Sequence, residues 1–141
     1  MNEAINDVFG KTLDKTHVWL TDLMGDLGWR DERRAYFALR AVLHALRDRL
    51  TVDEAVDLAA QLPMLIRGFY FEGWHPAGTP VKERHQSQFL DRVGASLRDD
   101  PGLDPETVVR AVFKLLRKHV SPGEVNDMKH MLPGELRNLW L

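Results

Sequence analysis

The 141-residue sequence has no cysteine. That removes a disulfide framework, thiolate catalysis and every thiolate metal site. It has no excess of one charge. Nineteen Lys and Arg stand against 21 Asp and Glu, a formal net charge of −2. A dedicated nucleic-acid binder carries a clear basic surplus, so a nucleic-acid partner is not expected. No apolar run approaches the length needed to cross a bilayer. The opening MNEAINDVFGKTLDK has neither the basic segment nor the apolar stretch of a secretory signal. The expectation is a cytoplasmic protein of bacterial type with no membrane partner. GxSxG, a phosphate loop, GxGxxG and HExxH are all missing. Nothing nominates a nucleophile, a general base or a cofactor, so the chain is expected not to be an enzyme and to need no cofactor.

What is present is a repeat. The apolar fraction, 44%, is that of a globular domain and argues against disorder. RAVLHALRDRLTVDEAVDLAAQLPMLIRGFYF, residues 40–71, lies without a gap on RAVFKLLRKHVSPGEVNDMKHMLPGELRNLWL, residues 110–141. Over residues 16–71 against 86–141 there are twelve identities in fifty-six positions. Chance at roughly one in sixteen would give about three or four. The identities include Arg40/Arg110, Arg47/Arg117, Glu54/Glu124, Asp57/Asp127, Pro63/Pro133 and Arg67/Arg137.

The repeated pattern reads as helices. Residues 2–10, with Ile5, Val8 and Phe9, predict a short helical turn or arm ending at Gly10. Leu13, Leu20, Leu23, Met24 and Leu27 share one helical face, with Thr12 as N-cap and Gly28 as stop. Ala35, Leu39, Val42, Leu43, Leu46 and Leu50 form the stripe of a second helix starting near Asp31. Thr51-Val-Asp-Glu54 and Ser121-Pro-Gly-Glu124 are capping boxes, in which each Glu should reach back to the cap amide. Val52, Ala55, Val56, Ala59 and Leu62 are then expected to face inward. Pro63 and Pro133 end those helices and read as the first residue of a short fourth. Asp104 and Pro105 start the counterpart of helix two. The counterpart of helix one is expected over residues 82–97. EGWHPAGT, residues 72–79, is the linker, and Thr79-Pro80 should restart helix.

The fold expected is all-α: two tandem, pseudo-symmetric helical repeats of about four helices each, packed into one domain over residues 1–141. Repeat one covers about 12–71, the linker 72–79, and repeat two about 80–141. ALRAVLHALRDRLTVDEAVDLAAQLP, a tyrosine-containing helix, EGW, then SPGE and LPGELRNLW in order, resemble the bacterial family called domain of unknown function 2267. The resemblance covers residues 12–141. It implies an all-helical, internally duplicated fold, and it implies no activity, ligand or catalytic residue. The second copy departs from the first in reading Met131-Leu-Pro where the first has Gln61-Leu-Pro.

Two constellations are candidate binding surfaces. Arg40 and Arg47 line one flank of helix two beside His44, and Arg110 and Arg117 repeat them beside Lys114. They could take anions, or they could clamp carboxylates and helix-end carbonyls. Asp57, Asp127, Arg67 and Arg137 are candidate partners across the proline turns. Trp74 and His75 are the second constellation, a loop that either displays a surface or plugs the seam between repeats. The six histidines show no HxxxH pair, so no metal site is expected among them. Three functions remain: a non-enzymatic protein-interaction or scaffold module, able to self-associate; a binder of anions or small ligands in the inter-repeat cleft; and an enzyme with an unrecognised site.

Overall fold

Eight α-helices and two 3-10 turns make up the described residues, 3–141, of the computed structural model, and these residues contain no strand. Helix α1 (Glu3–Leu27) is longer than the sequence suggested. It runs unbroken through Gly10 and Thr12, because a single glycine costs a helix only about 1 kcal/mol. Residue 2, where the expected arm begins, lies outside the described residues. Thr12 therefore caps no helix of its own. Its hydroxyl accepts instead from the Leu65 amide, 3.0 Å away, at the start of another helix. Gly28 ends α1 with φ of +68°, and the Trp29 amide closes back on the Met24 carbonyl.

Helix α2 (Glu32–Arg47) starts from Asp31, whose carboxylate accepts from the Arg33 and Arg34 amides. Its stripe Ala35, Leu39, Val42, Leu43 and Leu46 is fully buried. Helix α3 (Val52–Ala60) is capped by Thr51, and α4 (Met64–Phe71) follows Pro63. Pro63 and Pro133 occupy the cap position, one residue before the first helical one. A 3-10 turn, Pro76–Gly78, lies in the linker.

Residues 79–85 do not restart helix. The Val81 amide is drawn out to the Asp48 carbonyl at 2.7 Å, and the Glu83 carboxylate is held by Arg49 and Arg92. Helix α5 (Gln86–Ser96) is consequently shorter than the predicted 82–97. Helix α6 (Pro105–His119) starts at the predicted Asp104 cap with Pro105 first. Helix α7 (Pro122–Met131) is capped by Ser121, and α8 (Gly134–Arg137) runs into a last 3-10 turn, Asn138–Trp140.

Helices α2 and α6 pack on each other at the centre. Helix α1 lies on α2, α4 and α6; α5 lies on α6, α8 and α2. Helix α3 touches α7. The aromatic end of the core is Trp140 stacked on Phe113, centroids 4.1 Å apart, with Phe89 beyond. Trp140 is sealed while Leu141 is exposed, so the terminal apolar pair divides.

The inward face of α3 differs from expectation. Residues 52, 55, 56, 59, 62 and residues 55, 58, 59, 62 both fit helical spacing, so periodicity alone does not choose between them. The structure chooses the second. Leu58 is fully buried, and the Tyr70 hydroxyl donates to the Ala55 carbonyl at 2.7 Å. Val52 and Val56 turn outward, and Glu54 turns in.

Candidate functional site

The repeated arginines do not gather into one site. Arg47 is buried; its Nη1 donates to the carbonyls of Tyr70 (2.7 Å) and Glu72 (2.9 Å), and its Nε to Asp48. It holds the C-terminal end of α4, where free carbonyls and the helix dipole favour a cation. Arg40 reaches the Glu72 carboxylate at 3.1 Å. Arg110 donates to the Asn138 carbonyl and pairs with Glu106 one turn away. Arg117 is exposed and makes no hydrogen bond or ion pair among the described residues. Sequence identity between Arg47 and Arg117 thus conceals a clamp on one side and a free side chain on the other. His44 donates to the Phe69 carbonyl at 2.6 Å. Burial, with Arg47 and Arg40 nearby, holds its pKa below the ordinary value.

Arg67 and Arg137 do the same work as each other. Each crosses its proline turn to the end of the preceding helix: Arg67 to the carbonyls of Ala59 and Leu62, Arg137 to those of Leu132 and His130. Neither pairs with Asp57 or Asp127. Trp74 is half-buried, packs on Phe71 at 5.2 Å and borders the core; its indole N–H is enclosed without a partner. His75 is exposed at the start of the linker turn. The linker and the Arg40/Arg47 flank do meet, at the Tyr70 and Glu72 carbonyls and the Glu72 carboxylate.

Two open hollows flank the N-terminal half of α1. One, about 860 Å³, lies between α1, α2 and α4, with Phe9, Leu13, Tyr36, Met64, Leu65 and Phe69 among its walls. The other, about 730 Å³, lies on the opposite side of α1 against Pro63, Met64 and Arg67. Between them α1 is a ridge. Val8, Phe9, Leu13 and Val18 are each about half exposed, as are Met64 and Leu65 beside them. The periodicity of residues 2–10 is the signal that points here; the helical turn or arm it predicts is, from Glu3 on, part of α1.

A second feature lies where α3 meets α7. Glu54 and Glu124 do not reach back to their cap amides. Thr51 and Ser121 supply only the forward half of each box, accepting from the Glu54 and Glu124 amides at 3.2 and 3.3 Å. The two carboxyl groups turn instead toward the contact between α3 and α7. They are 4% and 9% exposed, and Oε1 of each is enclosed without a hydrogen-bond partner. Oxygens of Glu54, Glu124 and the exposed Asp57 lie within 4.8 Å of one another. Burial, the Glu124 carboxyl, and Asp57 and Asp127 behind them push the Glu54 carboxyl up to about 8. Glu54, Asp57, Glu124 and Asp127 make no ion pair with any base among the described residues. Glu54, Asp57 and Glu124 are the group that could hold a metal. The cue in the sequence was the Glu54/Glu124 identity, which the capping-box reading absorbed.

Gln61 and Ser121 link the same region. The Gln61 amide donates to Ser121 Oγ at 3.0 Å and accepts from the Ser121 amide at 2.7 Å. At the other end, Thr51 Oγ points to the Met131 sulfur at 3.5 Å.

The sequence model of an uncharacterized conserved protein family, domain of unknown function 2267, matches residues 16–139. The chain belongs to this family. A search of curated proteins returns no match. No helix among the described residues is long and apolar enough to cross a membrane. Membership of domain of unknown function 2267 brings the chain no assigned activity.

Proposed function

We propose that this protein is a non-enzymatic helical interaction module whose partner is a second copy of itself, docked through the α1 ridge and its flanking hollows. One observation carries the reading: an apolar ridge, Val8, Phe9 and Leu13, has an open hollow on either side of it. A ridge beside a groove is self-complementary. A two-fold axis would seat each copy's α1 in the other's groove, which is how isologous contacts form and how helix ridges pack. Large apolar side chains in a continuous strip mark interaction sites more often than scattered ones do.

The fold itself supports a pseudo-symmetric reading. Helix α1 lies on α6 as α5 lies on α2; α1 meets α4 as α5 meets α8; α2 meets α6 and α3 meets α7. A shift of 70 exchanges these contacts. It also carries Gln61–Ser121 into Met131–Thr51 and leaves Glu54–Glu124 unchanged. The two repeats are in this reading related by a pseudo-dyad that passes between the two glutamates.

The alternative of an anion or small-ligand cleft around Trp74, His75 and Arg47 has less behind it. The Arg47 guanidinium already serves three oxygens, and Arg40 is paired. Light scattering over a concentration series tests the proposal. A dimer mass emerging by about 1 mM is expected. Phe9→Asp with Leu13→Asp should return the monomer with the fold intact. A wild-type chain that stays monomeric at that concentration sinks the self-association.

A further inference from the structure

The carboxyl groups at the α3–α7 contact are a poor choice for stability alone. Like charges close together in a low-dielectric setting repel, and each buried carboxylate loses hydration. Natural buried acids are offset by an arginine, a lysine or hydrogen bonds. No arginine or lysine does so here, and the hydrogen bond that Glu54 and Glu124 can share joins only the two acids to each other. Glu54 and Glu124 are both more than nine-tenths buried, and an oxygen of each is enclosed with no donor. Asp57 adds a third carboxylate within 4.8 Å and is exposed, so it joins the pair to solvent. Asp127 contributes further negative potential. Positive side chains are abundant in the chain, yet none pairs with these four acids among the described residues.

We propose that Glu54, Glu124 and Asp57 form a binding site for one hard divalent cation of the Ca²⁺, Mg²⁺ or Mn²⁺ class, fastening α3 to α7. The chemistry selects the class. All donors are carboxylate oxygens, with no imidazole or thiolate, and oxygen-only sets favour hard cations over zinc or copper. Two ligands come from the same position of the two repeated segments, one from each helix. The cation would therefore sit between the halves, opposing the repulsion of Glu54 and Glu124. Entry from solvent runs past Asp57. This site is separate from the α1 ridge, and its success or failure leaves that proposal untouched.

MnCl₂ titration followed by the resonance signal of free Mn²⁺ tests the site on the full chain, with CaCl₂ and MgCl₂ as competitors and circular dichroism to monitor folding. One Mn²⁺ retained per chain is expected, displaced by Ca²⁺ or Mg²⁺. Glu54→Gln and Glu124→Gln should each weaken retention by more than about tenfold, as loss of a charged ligand does. Asp57→Asn is on the surface, cannot unfold the chain by burial, and should weaken it several-fold. No retention of Mn²⁺ at millimolar concentration, with no heat on adding Ca²⁺ or Mg²⁺, overturns the proposal. So does retention that Glu54→Gln and Asp57→Asn leave unchanged, since that places the ion elsewhere on the acidic surface.

Discussion

Glu54 shows how one side chain can fit a motif and still be used differently. In the sequence, Thr51-Val-Asp-Glu54 satisfies every requirement of a capping box, and the cap hydroxyl does bond the Glu54 amide. The carboxyl group nonetheless turns inward, because Leu58 rather than Val56 takes the core face and rolls the helix. A motif match specifies the hydroxyl half of the box, which is local. It leaves the carboxylate half to tertiary packing, which is not. The roll has a measurable consequence. A carboxyl whose folded pKa lies above its unfolded value binds its proton more tightly when folded. Its contribution is then fully favourable below the unfolded value near 4.5 and is lost as pH rises toward about 8. In buffer holding a chelator, urea midpoints should fall between pH 5 and pH 8, and Glu54→Gln should flatten that dependence. A midpoint that rises over this window in wild type and is unmoved by the variant contradicts the assignment. Arg47 gives a second residue-scale test. Arg47→Lys keeps the charge but loses the fork that spans the Tyr70 and Glu72 carbonyls, and should cost about 1–3 kcal/mol. Arg117→Lys, identical on paper, should stay within about 0.5 kcal/mol, because that side chain is exposed and makes no hydrogen bond or ion pair among the described residues. Chemical denaturation of the two variants side by side decides it.

At the level of elements, what was legible were the boundaries that local chemistry sets. Asp31, Thr51, Asp104 and Ser121 cap the helices their sequence context announces, and Gly28 ends α1 where the left-handed turn needs no Cβ. What was not legible were the ends decided by distant partners. Thr12 looked like the cap of the helix it begins, yet it is the cap of α4, fifty-three residues on, through the Leu65 amide. Residues 79–85 looked ready to restart helix, yet Asp48 and the Arg49 guanidinium pull them into an extended path. Such outcomes depend on which surfaces meet, and a linear reading has no access to them. Thr12→Val tests the borrowed cap. It leaves α1 intact and removes the acceptor of an otherwise orphan amide, so it should lower stability by about 1 kcal/mol. Amide exchange at Leu65 should quicken well beyond that of residues within α1. Unchanged exchange at Leu65 would show that α4 starts without help from α1.

For the whole molecule, the informative contacts are those that a shift of 70 should exchange but does not exchange equally. If the halves face each other across a pseudo-dyad, the Gln61 clamp on Ser121 has an image in Met131 over Thr51. The first is two hydrogen bonds to a helix cap. The second is one weak contact to a sulfur, and the Thr51 amide makes no backbone hydrogen bond among the described residues. The asymmetry between QLP and MLP, visible in the sequence as a bare difference, thus becomes an imbalance in how the two halves hold one another. Gln61→Met should cost about 1 kcal/mol, the usual worth of such hydrogen bonds. Met131→Gln should do the reverse. It places an amide where it can donate to the Thr51 hydroxyl and accept from the Thr51 N–H, and a gain of about 0.5–1 kcal/mol is expected. The double variant moves the clamp from one side of the axis to the other and should stand near the wild type, since the two sites do not share a partner. Urea midpoints for the three variants read this directly. If Met131→Gln destabilises by as much as Gln61→Met, residue 131 does not face Thr51 as residue 61 faces Ser121, and the two-fold relation between the halves fails at the contact where it makes its sharpest claim.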